Sequence, residues 1–416
     1  MAKLTIFNNN KEMIVMSKPK VVILGGGYGG LLTAKKLEKQ LKNGEADVTL
    51  INKHDYHYIT TMLHKTGAGT MGDNKITLPI RELLDNSKTI FKKATVSSLD
   101  FNNQKVMLEG GEAIKYDYLV VALGFDVETF GTPGIAEHAF NLRSFDTSKT
   151  TYAHIEKQFS LYNKDQDSTR LTFAVAGAGF TGIEMIGELV ENLPKLAKKY
   201  NIPASKIRII NIEAAPHVLP GFEKAAVDYS TQLLKDLGVE VMTSKKILEC
   251  TPEQVKLDGG VVVDTKTLVW SCGVRGHKLF DQAGLQTVRG KVVVDKNLKI
   301  PSLKNVFCIG DNSMFMKDEK AALPPTAQVA LQQAPVCGEN VIASIRGTSL
   351  KPFEYHHKGS VASISKRFGV GKIGNVIIKG KVAAFMKHVI DNRYLFVLGG
   401  PSLMIKQMVK SDQYNR

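Results

Sequence analysis

The sequence has 416 residues, which is too long for one small domain and predicts two or three. An apolar fraction of 43%, with 36 glycines and only 14 prolines, is typical of a globular chain with many tight turns rather than disordered linkers. The net charge of +15 favours an anionic partner, but no RNP, zinc-finger or helix-turn-helix pattern supports nucleic acid.

The first predicted elements form a nucleotide-binding pattern. Residues 20–30, KVVILGGGYGG, predict a buried strand that runs into Gly25, Gly27 and Gly30, and a helical pattern follows. Glycines at this spacing let the backbone approach a pyrophosphate, and the helix N-terminus offers free N–H groups. The next strand ends in Asn52, where an acidic residue commonly binds the ribose and an amide can also hydrogen-bond it.

The same pattern occurs a second time near the middle of the chain. Residues 171–182, LTFAVAGAGFTG, predict a strand and a glycine turn at Gly177, Gly179 and Gly182, again followed by a helix. The next strand ends in Glu213, whose carboxylate would accept from both ribose hydroxyls and repel a 2′-phosphate. The second unit is therefore expected to prefer NAD(H) over NADP(H). The alternative is that Glu213 is only a solvated residue at the end of a strand.

Two similar strands close the two units. YDYLVVALG, which ends at Gly124, and KTLVWSCG, residues 266–273, share a polar start, a buried strand, a small residue and a glycine. The first unit stays incomplete until LKNVFCIGDNS, residues 303–313, which carries Gly310 and Asp311. The second dinucleotide-binding domain is therefore predicted to be inserted into the first.

This arrangement resembles the flavoproteins with two dinucleotide-binding domains, the pyridine nucleotide–disulfide reductase superfamily. In that superfamily the first unit binds FAD, the second binds NAD(P)H, and the late Gly-Asp pair holds the ribityl chain of the flavin. The resemblance implies these roles for Gly25, Gly27, Gly30 and Asp311 in the first unit, and for Gly177, Gly179, Gly182 and Glu213 in the second.

A narrower resemblance follows from the rest of the sequence. Disulfide reductases carry a cysteine pair just after the first helix, whereas residues 51–70 contain no cysteine, so thiol–disulfide chemistry is not expected. NKHDYHYITTMLHKTGAGT, AGAGFTGIEMIGEL, IEAAPHVLPGF and PPTAQVALQQ together resemble the type II NADH:quinone oxidoreductases, over about residues 18 to 405. The AQxxxQ element of that family is matched by Ala327, Gln328 and Gln332.

The resemblance implies a bound FAD, NADH as substrate, and a membrane quinone of the menaquinone or ubiquinone type as acceptor, without proton pumping. It also implies a homodimer attached peripherally to the cytoplasmic face of the cell membrane. Two rival functions stay open: a soluble NADH-dependent flavoprotein that reduces a protein acceptor, and a redox sensor that binds FAD and NADH with little turnover.

The implied fold class is α/β, with two Rossmann-like dinucleotide-binding domains, the NADH domain inserted in the FAD domain, and a C-terminal membrane-associating region. The expected domains are an N-terminal extension (1–17), the first part of the FAD-binding domain (18–165), the NADH-binding domain (166–285), the second part of the FAD-binding domain (286–345), and the C-terminal region (346–416).

Four residues are candidates for the chemistry. Gln328 and Gln332 share one helix face and can donate to a quinone carbonyl without burying a charge, the alternative being an ordinary polar face. The resemblance places Glu184 near the nicotinamide–flavin contact, whereas the alternative role for this carboxylate is to compensate the helix dipole. Glu188 is expected to be a solvated neighbour. Lys387 matches a lysine that the family has near the flavin and the quinone; the alternative is a snorkelling surface lysine.

Two further patterns concern metals and membranes. His54, His57 and His64 lack an accompanying carboxylate pattern, so a structural role, or a position near the flavin, is favoured over a metal site. Residues 378–410 interleave large apolar residues with Lys and Arg, which suits an amphipathic helix on an anionic membrane surface. The alternative is a C-terminal domain that packs on the core or on a second subunit. No apolar run approaches the roughly 20 residues of a membrane-spanning helix, so membrane contact is expected to be peripheral.

Overall fold

A computed structural model describes residues 17–319 and 321–410; most of the predicted N-terminal extension and the last six residues lie outside these ranges. The strands are β1 (Lys20–Leu24), β2 (Asp47–Asn52), β3 (Tyr56–Tyr58), β4 (Thr77–Pro79), β5 (Thr89–Lys93), β6 (Val96–Asp100), β7 (Lys105–Leu108), β8 (Ala113–Lys115), β9 (Tyr118–Val121), β10 (Phe125–Val127), β11 (Phe140–Asn141), β12 (Thr172–Ala176), β13 (Arg208–Ile212), β14 (Val239–Met242), β15 (Ile247–Cys250), β16 (Gln254–Leu257), β17 (Val262–Asp264), β18 (Thr267–Trp270), β19 (Val274–Gly276), β20 (Val292–Val294), β21 (Val306–Cys308), β22 (Ser313–Phe315), β23 (Ser360–Ser363), β24 (Gly369–Ile373) and β25 (Val376–Lys379).

Helices connect these strands. They are α1 (Tyr28–Gln40), α2 (Leu63–Gly67), α3 (Asp73–Ile76), α4 (Ile80–Leu83), α5 (Ile135–His138), α6 (Phe145–Asp165), α7 (Phe180–Lys199), α8 (Lys224–Asp236), α9 (Leu279–Gln282), α10 (Ala327–Arg346) and α11 (Gly380–Val409). Short 3₁₀ turns cover Thr60–Met62, Ser168–Leu171, Ala204–Lys206, Asp258–Gly260 and Gly310–Asn312.

The chain divides into two compact units. Unit 1 is built from the described residues up to Tyr58, from Leu78–Asp126 and from Val274–His356. Unit 2 is built from Ile59–Thr77, from Val127–Gly273 and from the described residues that begin at His357.

Unit 1 contains a parallel sheet in the order β21-β9-β1-β2-β5. Its central strand β1 is almost continuously apolar because both faces are covered, and Ile23 pairs with Leu50 on one side and Val120 on the other. The helices α1 and α10 pack against each other, and Thr33 Oγ1 on α1 donates to the carbonyl of Ala334 on α10 at 3.3 Å. The late strand β21 completes this sheet beside β9, as predicted.

Unit 2 repeats the architecture with a parallel sheet in the order β11-β18-β12-β13-β14. The central strand β12 is fully buried, and its Ala174, with Ile210 and Leu268 from the neighbouring strands, belongs to one apolar core. The sheet of unit 2 lies in the chain between strands of unit 1. The predicted α/β class, with one Rossmann-like domain inserted in another, is therefore confirmed.

The C-terminal part of unit 2 combines the antiparallel sheet β23-β24-β25 with α11. The predicted amphipathic segment is helical, but Gly399 and Gly400 leave helical geometry and divide it into two parts. The second part is tied to the α3 region, because Gln407 Nε2 donates to the carbonyls of Asn74 and Lys75 at 3.0 and 2.9 Å. Among the described residues, no helix is long and apolar enough to cross a membrane.

Candidate active site

The first glycine turn joins β1 to α1 and opens in front of the helix N-terminus. Gly25 has φ +103°, and a Cβ on Gly30 would lie 1.8 Å from the Gly25 carbonyl, so both positions require glycine for the turn itself. A Cβ on Gly27 would meet no heavy atom of the described chain within 4 Å. Gly27 therefore faces open space at a helix N-terminus, where a pyrophosphate fits.

The side chains after β2 hold this turn in place. Asn52 Oδ1 accepts from the Gly26 N–H at 2.9 Å, and Asn52 Nδ2 donates to the His54 carbonyl at 2.8 Å. His57 is buried with its Nδ1 2.9 Å from the Gly26 carbonyl oxygen, and burial lowers its pKa to about 4. A neutral His57 donates to that carbonyl, which is a structural role beside the turn. The described residues contain no cluster of three or more potential metal ligands.

The end of β21 supplies the second part of this site. Gly310 adopts φ +68°, and Asp311 follows it in a turn where burial raises the pKa of its carboxyl to about 6. The neighbouring Asn312 is fully buried, and its side-chain oxygen and nitrogen have no hydrogen-bond partner in the described structure. A buried amide without partners is costly unless a ligand or water satisfies it, so this turn fits a polar ligand.

Gly124 and Ala327 are the two remaining candidate cofactor residues of unit 1. Gly124 follows β9 with φ +76°, in the left-handed region that favours glycine, and a Cβ there would meet no described heavy atom within 4 Å. Ala327 is the first residue of α10, whose N-cap is Thr326. The Thr326 side chain accepts from the Val329 N–H at 3.4 Å. Pro324 and Pro325 thus precede the helix rather than forming its first turn.

Unit 2 contains a turn of the same design between β12 and α7. Gly177 has φ +93°, a Cβ on Gly182 would lie 2.0 Å from the Gly177 carbonyl, and a Cβ on Gly179 would meet no described heavy atom within 4 Å. Glu213 accepts from the Ala178 N–H at 2.6 Å through Oε2 and from the Ala215 N–H at 2.8 Å through Oε1. The carboxylate is therefore fixed beside the turn, in the position that Asn52 occupies in unit 1.

The amides of α10 differ in what they contact. Gln328 Oε1 accepts from the Tyr355 hydroxyl at 3.0 Å. Gln332 pairs with the backbone of one residue, since its Nε2 donates to the His356 carbonyl at 3.0 Å and its Oε1 accepts from the His356 N–H at 3.1 Å. Both the oxygen and the nitrogen of the Gln332 amide are thus hydrogen-bonded within unit 1. Its predicted role as a quinone donor stays a prediction.

Glu184 and Lys387, 203 residues apart in sequence, meet in a buried ionic cluster of unit 2. Glu184 Oε1 lies 3.1 Å from Lys387 Nζ and accepts from the Ser363 N–H at 3.1 Å. Its Oε2 lies 3.5 Å from His64 Nδ1, and burial lowers the pKa of His64 well below its ordinary value. The Lys387 side chain is only 11% exposed, so it is not a snorkelling surface lysine.

Two more acids extend this cluster. Asp391, one turn after Lys387, places Oδ1 3.7 Å from the ammonium, and burial raises the pKa of its carboxyl. The prediction that Glu188 is solvated was wrong: it is 5% exposed, and burial raises its pKa. The cause is packing by segments distant in the chain: α2, which carries Lys65, packs on α7, and Thr70 and Lys366 also lie beside the Glu188 carboxyl.

Comparisons with known proteins agree with this architecture. Residues 19–334 match the pyridine nucleotide-disulphide oxidoreductase family. A type II NADH:quinone oxidoreductase of Staphylococcus aureus strain MSSA476 is 39% identical over 400 residues, which cover 95% of this chain and 99% of the relative. The protein of the same description from strain NCTC 8325 gives the same identity and coverage.

Solved structures show the same fold at lower sequence identity. NDH2 from Plasmodium falciparum in complex with NADH has a TM-score of 0.81 at 19% identity, over 95% of this chain and 99% of that one. The sulfide:quinone oxidoreductase of Aquifex aeolicus has a TM-score of 0.73 at 20% identity, over 91% of each chain. The family resemblance drawn from the sequence is confirmed. The chain belongs to the type II NADH:quinone oxidoreductases, within the pyridine nucleotide-disulphide oxidoreductase family.

Proposed function

We propose that this chain moves a hydride from NADH to bound FAD and then two electrons to a quinone, without pumping protons. The observation that carries this proposal is the pairing of two glycine-turn sites in a chain that is 39% identical to type II NADH:quinone oxidoreductases over 95% of its length. Bound FAD supplies the hydride acceptor and the two-electron carrier. The protein binds and orients FAD and the substrates, and it excludes water from the site.

The residues of unit 1 fit FAD. The open space at Gly27, the half-buried carboxyl of Asp311 and the unpaired amide of Asn312 match a ligand with a pyrophosphate and several hydroxyls. We assign FAD binding to Gly25, Gly27, Gly30, Asn52, Gly124, Asp311 and Ala327, and NADH binding to Gly177, Gly179, Gly182 and Glu213.

Glu213 is proposed to select NADH over NADPH. Its carboxylate is anchored by two backbone N–H groups and would repel a 2′-phosphate. In Glu213→Ala, the ratio of kcat/KM for NADH to that for NADPH is expected to fall at least about tenfold, or ~1.4 kcal/mol. Steady-state kinetics with both coenzymes measures this ratio. An unchanged ratio in a folded Glu213→Ala protein would remove the selecting role from Glu213.

Gln328 is proposed to donate a hydrogen bond to a quinone carbonyl. The Tyr355 hydroxyl donates to Oε1 of this amide and so helps to orient it. An amide serves here because burying it costs less than burying a charge. Of the two small residues beside it on the helix, Ala330 is buried, so only the half-buried Ala327 is proposed to leave room for a flat ring.

An NADH oxidation assay with a short-chain quinone tests the function and this residue together. Gln328→Ala is expected to lower kcat/KM for the quinone about tenfold, because one hydrogen bond is lost. Its rate with a small inorganic oxidant should stay unchanged. Tyr355→Phe should give a smaller loss of the same kind. A wild-type protein that loads FAD but shows no quinone-dependent rate would refute the function, whereas an unchanged Gln328→Ala rate would refute only the residue.

Glu184 and Lys387 are proposed to handle protons for the reduced quinone. Their 3.1 Å contact in a buried setting joins a proton-accepting carboxylate to an ammonium that can donate. In the same quinone assay, Glu184→Gln should lower the quinone-dependent rate and alter its pH profile. A wild-type profile in Glu184→Gln would remove the pair from this role.

We further propose peripheral attachment of α11 to an anionic membrane on the cytoplasmic face. Phe385, Phe396 and Ile405 are 65%, 52% and 57% exposed, and Lys381 and Lys406 flank them in the sequence of α11. This is the surface through which a lipid-borne quinone would be reached. The homodimer and the quinone type, menaquinone or ubiquinone, are also proposed from the family resemblance; light scattering and quinone preference in the assay test them.

Membrane attachment has a direct test. The double variant Phe385→Asp and Phe396→Asp is expected to lose most co-sedimentation with vesicles that contain anionic lipid. The matched control is Leu248→Asp on β15, which changes a side chain of 48% exposure outside α11 and should sediment like wild type. Equal loss in both proteins would contradict a specific role for α11.

A further inference from the structure

A closed ring of hydrogen bonds surrounds Gly310, the residue before Asp311. The Gly310 N–H donates to Gln333 Oε1 at 2.7 Å. Gln333 Nε2 donates to Ser313 Oγ at 3.3 Å, and the Ser313 hydroxyl donates to the Gly310 carbonyl at 2.8 Å. The donors and acceptors of this ring match at every step, so both backbone groups of Gly310 are fixed by side chains.

Gly310 needs such support because of its backbone conformation. Its φ of +68° turns the chain sharply as it leaves β21, so its N–H and carbonyl cannot continue the ladder of the sheet. The ring satisfies both groups inside the protein. It also sets the direction in which the next residue, Asp311, carries its carboxyl.

Gln333 is the part of the ring that comes from another element. It lies on α10, is fully buried, and stands two turns from Asn340, another fully buried amide of the same helix. Losing the Gln333 acceptor would leave the half-buried Gly310 N–H without its side-chain partner. Gln333 thus connects the helix that carries Gln328 to the turn that carries Asp311.

We propose that Gln333 is a positioning residue for FAD: it fixes the Gly310 turn so that Asp311 meets the cofactor in one orientation. This inference rests on the proposed binding of FAD in unit 1. Gln333 has no contact role of its own toward FAD in this proposal. Its effect passes through the backbone of Gly310, with Ser313 as the second support.

The test measures how tightly the purified holoprotein retains FAD. Gln333→Met removes both hydrogen bonds at nearly constant size, and the dissociation constant for FAD is expected to rise at least about tenfold, with a changed flavin absorption spectrum. Gln333→Glu keeps an oxygen that accepts from Gly310 but loses the donor to Ser313. Its dissociation constant should lie between those of wild type and Gln333→Met.

Asn340→Leu is the matched control. The Asn340 amide is equally buried on α10, but it donates to the Asn297 and Lys351 carbonyls rather than to the turn. This variant should lose stability while its folded fraction binds FAD as wild type does. Equal FAD affinity in wild type and Gln333→Met, or equal weakening in Asn340→Leu, would overturn the inference. A wild-type protein that binds no FAD would instead refute the proposed function itself.

Discussion

Gly27→Val is expected to give a folded protein that retains no FAD, and Gly179→Val a yellow protein with a much higher KM for NADH. In both positions a Cβ meets no described heavy atom within 4 Å, and the backbone, with φ −83° at Gly27 and −71° at Gly179, suits any residue. The valine side chain therefore enters the space in front of the helix N-terminus, where the pyrophosphate would lie, without straining the protein.

The neighbouring glycines provide the contrast. A Cβ on Gly30 would lie 1.8 Å from the Gly25 carbonyl oxygen, and one on Gly182 would lie 2.0 Å from the Gly177 carbonyl oxygen. Substitution there distorts the packing of strand and helix, so a loss of activity would not distinguish binding from folding. Gly27 and Gly179 separate the two effects, because a side chain at either position would meet no described protein atom within 4 Å of its Cβ.

Flavin absorbance per chain, thermal unfolding and NADH kinetics measure the outcome. Gly27→Val should show wild-type unfolding of the FAD-free protein and no quinone-dependent rate. Gly179→Val should keep full flavin while the KM for NADH rises at least about 100-fold, or ~2.7 kcal/mol. FAD retained in Gly27→Val, or an unchanged KM in Gly179→Val, would show that the respective turn does not face its nucleotide.

The repeated nucleotide units could be predicted because their signals are local. Each unit needs a strand, glycines at fixed offsets and a helix within a short stretch, and the acceptor after the next strand follows at a regular distance. Asn52 and Glu213 both appear where this spacing places them, each bonded to the backbone of its glycine turn. The insertion of one unit into the other followed from the order of the same motifs.

The buried ionic cluster could not be predicted, because it depends on contacts between distant segments. Glu188 shows no local sign of burial, because the residues beside its carboxyl, Lys65, Thr70 and Lys366, are distant in the chain. Asp391 left a faint signal, since it stands four residues after Lys387 on one helix. The role of Gln333 has no signal in the sequence, because its partner is a backbone N–H in a turn 23 residues away. Helical periodicity also did not reveal the break at Gly399 in α11.

Lys387→Met is expected to lower the free energy of unfolding of unit 2 by about 3–5 kcal/mol near pH 8. Removing the ammonium leaves Glu184 and Asp391 buried without their cation, at 7% and 4% side-chain exposure. Methionine replaces most of the apolar stem of lysine, so the loss arises from charge rather than from packing.

The loss of stability in Lys387→Met, relative to wild type, should depend on pH in a defined direction. Burial already raises the pKa of Asp391 in the wild type and the Lys387 ammonium lowers it, so without Lys387 this pKa lies further above the value in the unfolded chain, which is about 4 for a carboxyl. Between the unfolded-state and the folded-state pKa of Asp391, the folded variant binds more protons than its unfolded chain. Its free energy of unfolding therefore falls as pH rises. The variant should therefore be closest to wild type near about pH 4 and furthest from it near about pH 8.

Denaturant unfolding followed through Trp270 measures this effect, because it is the single tryptophan of the sequence and is buried in unit 2. Adding Glu184→Gln to Lys387→Met should restore part of the stability at pH 8, since one uncompensated charge is removed. Lys224→Met, which breaks an exposed ion pair with Asp228 on α8, should change little at any pH. A deficit in Lys387→Met that does not vary with pH would mean that packing, not the buried charges, accounts for the contribution of Lys387.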